Sequence, residues 1–267
     1  MNSKVFFGLY VPTNSVLHRL DPRVKIIACF WYVVIVFFAN NVMTNLLLGA
    51  FLLLLIALSK VSLKMYWQGI RPLMWIILIT AVVQLFFSTG GQTLWQWHFL
   101  TITSLGIIQS IYLIFRFAFI ITISTVLTVT TTTLQLAAGI ESLLKPLSYL
   151  KVPVSQLAMM LSIALRFIPT IMDEIQTIMD AQRARGMDFS AGNLFQRAKR
   201  LVPVMIPLFV SSFKRADDLA LAMEARGYEP GAPRTSYRRL QWHMADNWAL
   251  LTYVLLTVVL ILLRHFG

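Results

Sequence analysis

The chain has 267 residues, of which 58% are hydrophobic and only 13% charged, about half the charged share of an ordinary soluble domain. Its mean hydropathy of +0.72 places it among membrane proteins, and a single cysteine, Cys29, excludes a disulfide framework and any metal site built on thiols. The net charge of +12 is uneven: Asp21 is the only acid before Glu141, and 14 of the 23 Lys and Arg lie between Lys145 and Arg239. With no nucleic-acid-binding motif in the chain, that basic excess reads as cytoplasmic exposure beside anionic lipid. No nucleic acid partner is expected.

The first twenty residues, MNSKVFFGLYVPTNSVLHRL, lack the apolar core and small-residue cleavage site of a secretory signal, and read as part of the mature protein. A spanning helix needs about 20 mainly apolar residues. Four such stretches fill residues 1–132, at about 23–40, 43–60, 71–88 and 104–130, and a fifth closes the chain at 242–267. Lys4, Arg19, Arg23 and Lys25 precede the first span, and Lys60, Lys64 and Arg71 separate the second from the third. The loops at Asn40-Asn41 and Ser88–Ser104 carry no Lys or Arg. This alternation predicts a cytoplasmic N-terminus, a cytoplasmic segment 133–241 and an outside C-terminus.

Segment 133–241 shows helical rather than loop character. One apolar stripe runs through Leu136, Ile140, Leu143, Leu144 and Leu147. A second includes Leu157, Leu161, Ala164, Ile168, Ile171, Ile175 and Ile178; a third includes Leu201, Met205, Leu208, Phe209, Ser212, Leu219 and Met223. Steps of three and four residues define amphipathic helices. The expected fold is therefore all-α: a polytopic membrane protein of about five spans, joined to a cytoplasmic domain of about three long amphipathic helices.

The second and third stripes end on the same signal. AQRARGMDF (Ala181–Phe189) and AMEARGYEP (Ala222–Pro230) each hold Ala-Arg-Gly, one apolar residue and an acid. Gly after a helix adopts the left-handed conformation that closes it, and Arg in the last turn is drawn to the negative end of the helix dipole. Those effects account for Arg-Gly at any helix end. They leave the repeated alanine and acid unexplained. The other reading makes each end a plug, whose guanidinium fork meets a carboxylate of a partner. Two equivalent plugs suit two equivalent sockets, as on a dimeric partner.

These two motifs, with LRFIPTIMDE (Leu165–Glu174) and HRLDPRVK (His18–Lys25), resemble the transmembrane T component of energy-coupling factor transporters, over essentially the whole chain. The resemblance implies a membrane domain joined to a coupling domain, and two cytoplasmic ATP-binding cassette ATPase subunits docked by Ala184, Arg185, Gly186 and Ala225, Arg226, Gly227. It implies a membrane-embedded substrate-binding S component, for which Leu136, Ile140, Leu143, Leu147, Leu161 and Ile168 are the candidate contacts. ATP and Mg would then belong to the partner ATPases, with no cofactor and no catalysis in this chain. Such an assembly takes up vitamins.

Other residues compete weakly. Arg116 lies inside the fourth span, where a charge is costly; Gln84 or a backbone carbonyl is its expected partner. The histidines His18, His98, His243 and His265 have no metal-site spacing, and Thr130–Thr133 are expected to bond back to carbonyls of the preceding turn. No GxxxxGK[ST], HExxH or GxSxG occurs. The rival reading is a self-contained intramembrane enzyme or channel using Arg116 and the histidines. A peripheral lipid-binding scaffold is excluded by the five spans.

Overall fold

The computed structural model describes residues 11–88, 90–97, 100–150, 153–229 and 240–266. The chain divides into two compact units, Met1–Leu144 with Leu240–Gly267, and Lys145–Arg239.

In the first unit a short turn of helix, α1 (Val16–Arg19), leads to α2 (Pro22–Phe38), α3 (Val42–Ser59), α4 (Leu63–Ile70) and α5 (Met74–Phe87). Then come β1 (Thr93–Trp97), β2 (Leu100–Thr103), α6 (Ser104–Thr130), α7 (Thr133–Leu144) and α10 (Met244–Phe266). Local chemistry sets the boundaries. Asp21 accepts the Arg23 amide at 2.8 Å, with Pro22 in the first helical turn, where a missing N–H costs nothing. Asn41 and Thr44 form a reciprocal capping box that starts α3. Thr132 and Gln135 do the same for α7, by Gln135 N–H to Thr132 Oγ1 at 3.3 Å and Thr132 N–H to Gln135 Oε1 at 3.1 Å. Thr130 bonds back to the Val126 carbonyl as expected, at 2.8 Å; Thr132 instead caps the next helix.

The expected span at 71–88 is longer in the structure. α4 and α5 form one helical run, Leu63–Phe87, through a 3-10 turn at Arg71–Leu73. Arg71-Pro72 reads as a break in sequence, but the tighter turn accommodates the proline, which needs no amide donor there. Between α5 and α6, the loop expected from sequence contains the antiparallel pair β1–β2, a small departure in an otherwise helical fold.

By length and hydropathy, five described stretches suffice to cross a bilayer: Val42–Ser59, Leu63–Phe87, Ser104–Thr130, Val154–Ala184 and Met244–His265. The chain is a multi-pass membrane protein. α2 falls just short of that set: its 17 residues span about 26 Å, against a hydrocarbon core of about 30 Å. It is nonetheless apolar all round, with Phe30, Val34 and Phe37 outward and Tyr32, Ile35 and Val36 inward.

The core of this unit lies among α2, α3, α6 and α10. Tyr32 and Leu48 are fully buried, and Leu260 nearly so. Because lipid tails are as apolar as these side chains, burial alone supplies little drive, and packing and internal hydrogen bonds carry the association. The Tyr32 hydroxyl accordingly donates to the Leu48 carbonyl at 3.0 Å. The first and last helices are tied by Asp246, itself fully buried. One of its oxygens accepts the Asp21 amide at 2.9 Å and the other the His243 amide at 2.8 Å. Lys25 donates to the carbonyls of Thr130 and His18. Gly139 lets α7 approach α2 closely: a Cβ there would stand 2.9 Å from Ile26 and 3.3 Å from Pro22.

The second unit holds a 3-10 segment, Lys145–Leu150, and two long helices, α8 (Val154–Ala184) and α9 (Leu194–Ala225). α8 runs unbroken through Pro169, and α9 through Pro203 and Pro207. The two helices pack together, joined by Arg215 of α9 and Glu174 of α8 at 3.0 Å; the same guanidinium lies 5.6 Å from the Phe167 ring centre.

Candidate functional site

Both Ala-Arg-Gly sequences stand at helix C-termini with the same backbone geometry. α8 ends at Ala184 and α9 at Ala225, so Arg185 and Arg226 are the cap residues, with φ,ψ of −83°, 9° and −92°, 10°. Gly186 and Gly227 follow at φ +85° and +73°. The Gly186 amide donates to the Arg183 carbonyl at 2.9 Å and the Met187 amide to the Gln182 carbonyl at 3.0 Å. At the second end the Gly227 amide donates to Glu224 at 2.9 Å and the Tyr228 amide to Met223 at 3.0 Å. Each is a complete Schellman closure. A Cβ at either glycine would meet nothing within 4 Å, so conformation, not space, demands glycine here.

The surroundings repeat as well. Ala184, Arg185 and Gly186 are exposed, as are Ala225, Arg226 and Gly227, while Met187 and Tyr228 are half-buried. Among the described residues neither Arg185 nor Arg226 forms an ion pair. Neighbouring arginines are engaged: Arg183 pairs with Asp180 at 2.8 Å and stacks toward Phe189, and Arg215 holds Glu174. Among the described residues Arg185 and Arg226 share their unpaired guanidiniums with the exposed Arg166 and Arg197, but only they stand at helix ends closed by glycine.

The loop after the first end is organised. Asp188 accepts both the amide and the hydroxyl of Ser190, at 2.8 and 2.6 Å. Those bonds, before any nearby charge, hold its carboxyl below the usual aspartate range. Arg200 donates to the Asp188 and Ala191 carbonyls at 2.6 and 2.5 Å. These ties depend on pairs nine to twelve residues apart and escaped the sequence reading.

The six apolar candidates distribute over both units. Leu136, Ile140 and Leu143 lie on α7 in the first unit; Leu147, Leu161 and Ile168 lie in the second. Ile140, Leu147 and Leu161 are exposed, and the other three half-buried. The third stripe read from sequence mixes two faces of α9. Leu208, Ser212, Leu219 and Met223 are partly covered, whereas Leu201, Met205 and Phe209 are exposed. The residues missed are Val202, Ile206, Val210 and Phe213, which with Phe209 form an outward apolar row whose steps of four and three were available in the sequence.

Arg116 does not reach Gln84. Its guanidinium carbon lies 5.3 Å from the Phe37 ring centre, a cation–π contact. Gln84 bonds Gln109 at 3.0 Å instead, which also accepts the Ser88 hydroxyl. No group of three or more His, Cys, Asp or Glu able to hold a metal occurs among the described residues.

Fold and site together define a multi-pass membrane component that presents two matching cationic helix ends. The family model described as CbiQ, cobalt transport protein, matches residues 13–237. The "Energy-coupling factor transporter transmembrane protein EcfT" of Limosilactobacillus fermentum is 57% identical over 264 residues, 99% of each chain. The protein of that name from Streptococcus equi subsp. equi is 51% identical, over 98% of this chain and 97% of its own. That of Bacillus subtilis is 45% identical, over 99% of this chain and all of its own. The chain belongs to this family of energy-coupling factor transporter transmembrane proteins.

Proposed function

We propose that the chain is the non-catalytic coupling subunit of an energy-coupling factor importer. It passes ATP-driven motion of two cytoplasmic ATPase subunits to a membrane-embedded substrate-binding subunit, which takes up a vitamin or other micronutrient. The observation that carries the reading is the pair of matched helix ends, each closed by the same hydrogen bonds and each exposing a guanidinium that forms no ion pair among the described residues. A charge-assisted, planar fork on a rigid helix end suits an acidic groove on a partner. Rigidity matters because a coupling element must transmit displacement rather than absorb it.

In this reading Arg185 and Arg226 are the contacts, Ala184 and Ala225 allow close approach, and Gly186 and Gly227 set the helix ends. The contacts with the substrate-binding subunit are Leu136, Ile140, Leu143, Leu147, Leu161 and Ile168, to which the outward row of α9 is added. In this reading the N-terminus and the segment 133–241 lie on the cytoplasmic side, in keeping with their basic character, and the C-terminus outside; α8, although long and apolar enough to cross a bilayer, belongs to that cytoplasmic segment.

The test is recovery of partners from detergent-solubilised native membranes with this chain tagged. ATPase subunits should accompany the wild type and be lost from a monodisperse Arg185→Glu/Arg226→Glu variant. Equal recovery with both would reduce the two arginines to helix caps; no ATPase with folded wild type would remove the coupling role.

A further inference from the structure

The first unit carries three acids, Asp21, Glu141 and Asp246. All stand at one end of the α2–α10 pair: Asp21 and Asp246 are bonded to each other there, and α7, bearing Glu141, packs on Pro22 and Ile26. The opposite end, where α2 closes at Phe38, has no side-chain carboxylate of this unit. It nevertheless holds Arg264, exposed and 5.9 Å from the Phe38 ring centre.

From Arg264 a groove of about 610 Å³ runs between the two helices. Its walls have equal length: Phe38 to Trp31 on α2 and Arg264 to Thr257 on α10 are eight residues each, about 10 Å of helix. Val34 and Ile261 line the middle and are exposed at 55% and 57%. At the far end the Trp31 indole N–H donates to the Thr257 hydroxyl at 2.9 Å. The groove is thus cationic at its mouth and apolar along its length, in a pair of helices embedded in lipid.

We propose that this groove binds one acyl chain of an anionic phospholipid, whose headgroup phosphate sits on the Arg264 guanidinium. A guanidinium presents paired N–H donors that match phosphate oxygens. Among the described residues no carboxylate pairs with Arg264, and a net-negative lipid is favoured there over a zwitterionic one. The 10 Å apolar run below the cation accommodates the first part of the chain.

The test is native mass spectrometry of the protein released from nanodiscs containing equal phosphatidylglycerol and phosphatidylcholine. Wild type should retain phosphatidylglycerol in preference. Arg264→Gln, at an exposed position, should lower that retention about tenfold, the loss of one charge-assisted hydrogen bond; Arg264→Lys should fall between. Val34→Trp, which fills the groove and leaves the guanidinium, should also lower it, and glycerol 3-phosphate, a headgroup without chains, should not compete. Unchanged retention in Arg264→Gln overturns the proposal. So does displacement by glycerol 3-phosphate. Loss of a protein partner in Val34→Trp with lipid retention intact would assign the groove to a protein interface instead.

Discussion

The two Ala-Arg-Gly ends share their tips and differ in their supports. At both, a Schellman closure ends the helix on an exposed arginine followed by a left-handed glycine. Behind the first tip, Arg183 is paired with Asp180, and the following loop is tied by Asp188, Ser190 and Arg200. The second tip is preceded by Glu224 in place of that paired arginine and carries Tyr228 where the first has Met187. What repeats is the part a partner would touch; what varies is the part that holds it. A cap needed only for helix stability would not have to repeat its exposed alanine and its unengaged guanidinium.

That comparison can be broken from its strongest element downward. Reversing the charge of either Arg185 or Arg226 alone should weaken partner docking by about 2–5 kcal/mol, the cost of truncating one member of a buried, hydrogen-bonded charge pair at an interface. Titrating purified ATPase subunits against each single variant measures it, and similar losses at both ends are expected. Next comes the shared support. Arg215→Met removes the α8–α9 ion pair and leaves Glu174 uncompensated, at a cost of about 1–2 kcal/mol, and should reduce docking at both ends together. A smaller effect follows at the glycines. Gly186→Ala and Gly227→Ala force a Cβ into the left-handed region at about 1 kcal/mol each, read as lowered thermal stability; equal losses would match the equal geometry. The least is Ser190→Ala, which should loosen the first end alone, visible as faster amide exchange in residues 186–193.

The Ser190 tie also has a pH signature. Asp188 is held below the usual aspartate value, so its contribution is complete above the unfolded-state pKa of about 3.9 and is lost as pH falls through the lower folded value. Loop protection at the first end, corrected for intrinsic exchange, should therefore fall on acidification below about pH 4, and Ser190→Ala should weaken that dependence, since the amide of residue 190 still donates to Asp188.

Much of this was legible because it is local. Helix closure depends on six consecutive residues, so Gln182–Met187 and Met223–Tyr228 declare themselves in sequence. The stripes of α8 and the apolar spans follow from periodicity and length. Three features were not legible, each for a stated reason. Asp246 and Asp21 lie 225 residues apart and meet only through tertiary packing. Pro72 looks like a break, yet a single 3-10 turn carries the helix past it. On α9, apolar residues occupy both faces, so spacing alone did not say which of them α8 covers; the neighbouring α8 decides it, with Glu174 reaching Arg215 on the covered face.

The most direct test replaces Arg185, Arg226 or the exposed control Arg197 by a photo-crosslinking amino acid, one at a time, in the assembled transporter. The account predicts ATPase crosslinks of comparable yield from positions 185 and 226 and few from 197. Crosslinks from neither tip, or from 197 as strongly as from both, would contradict it.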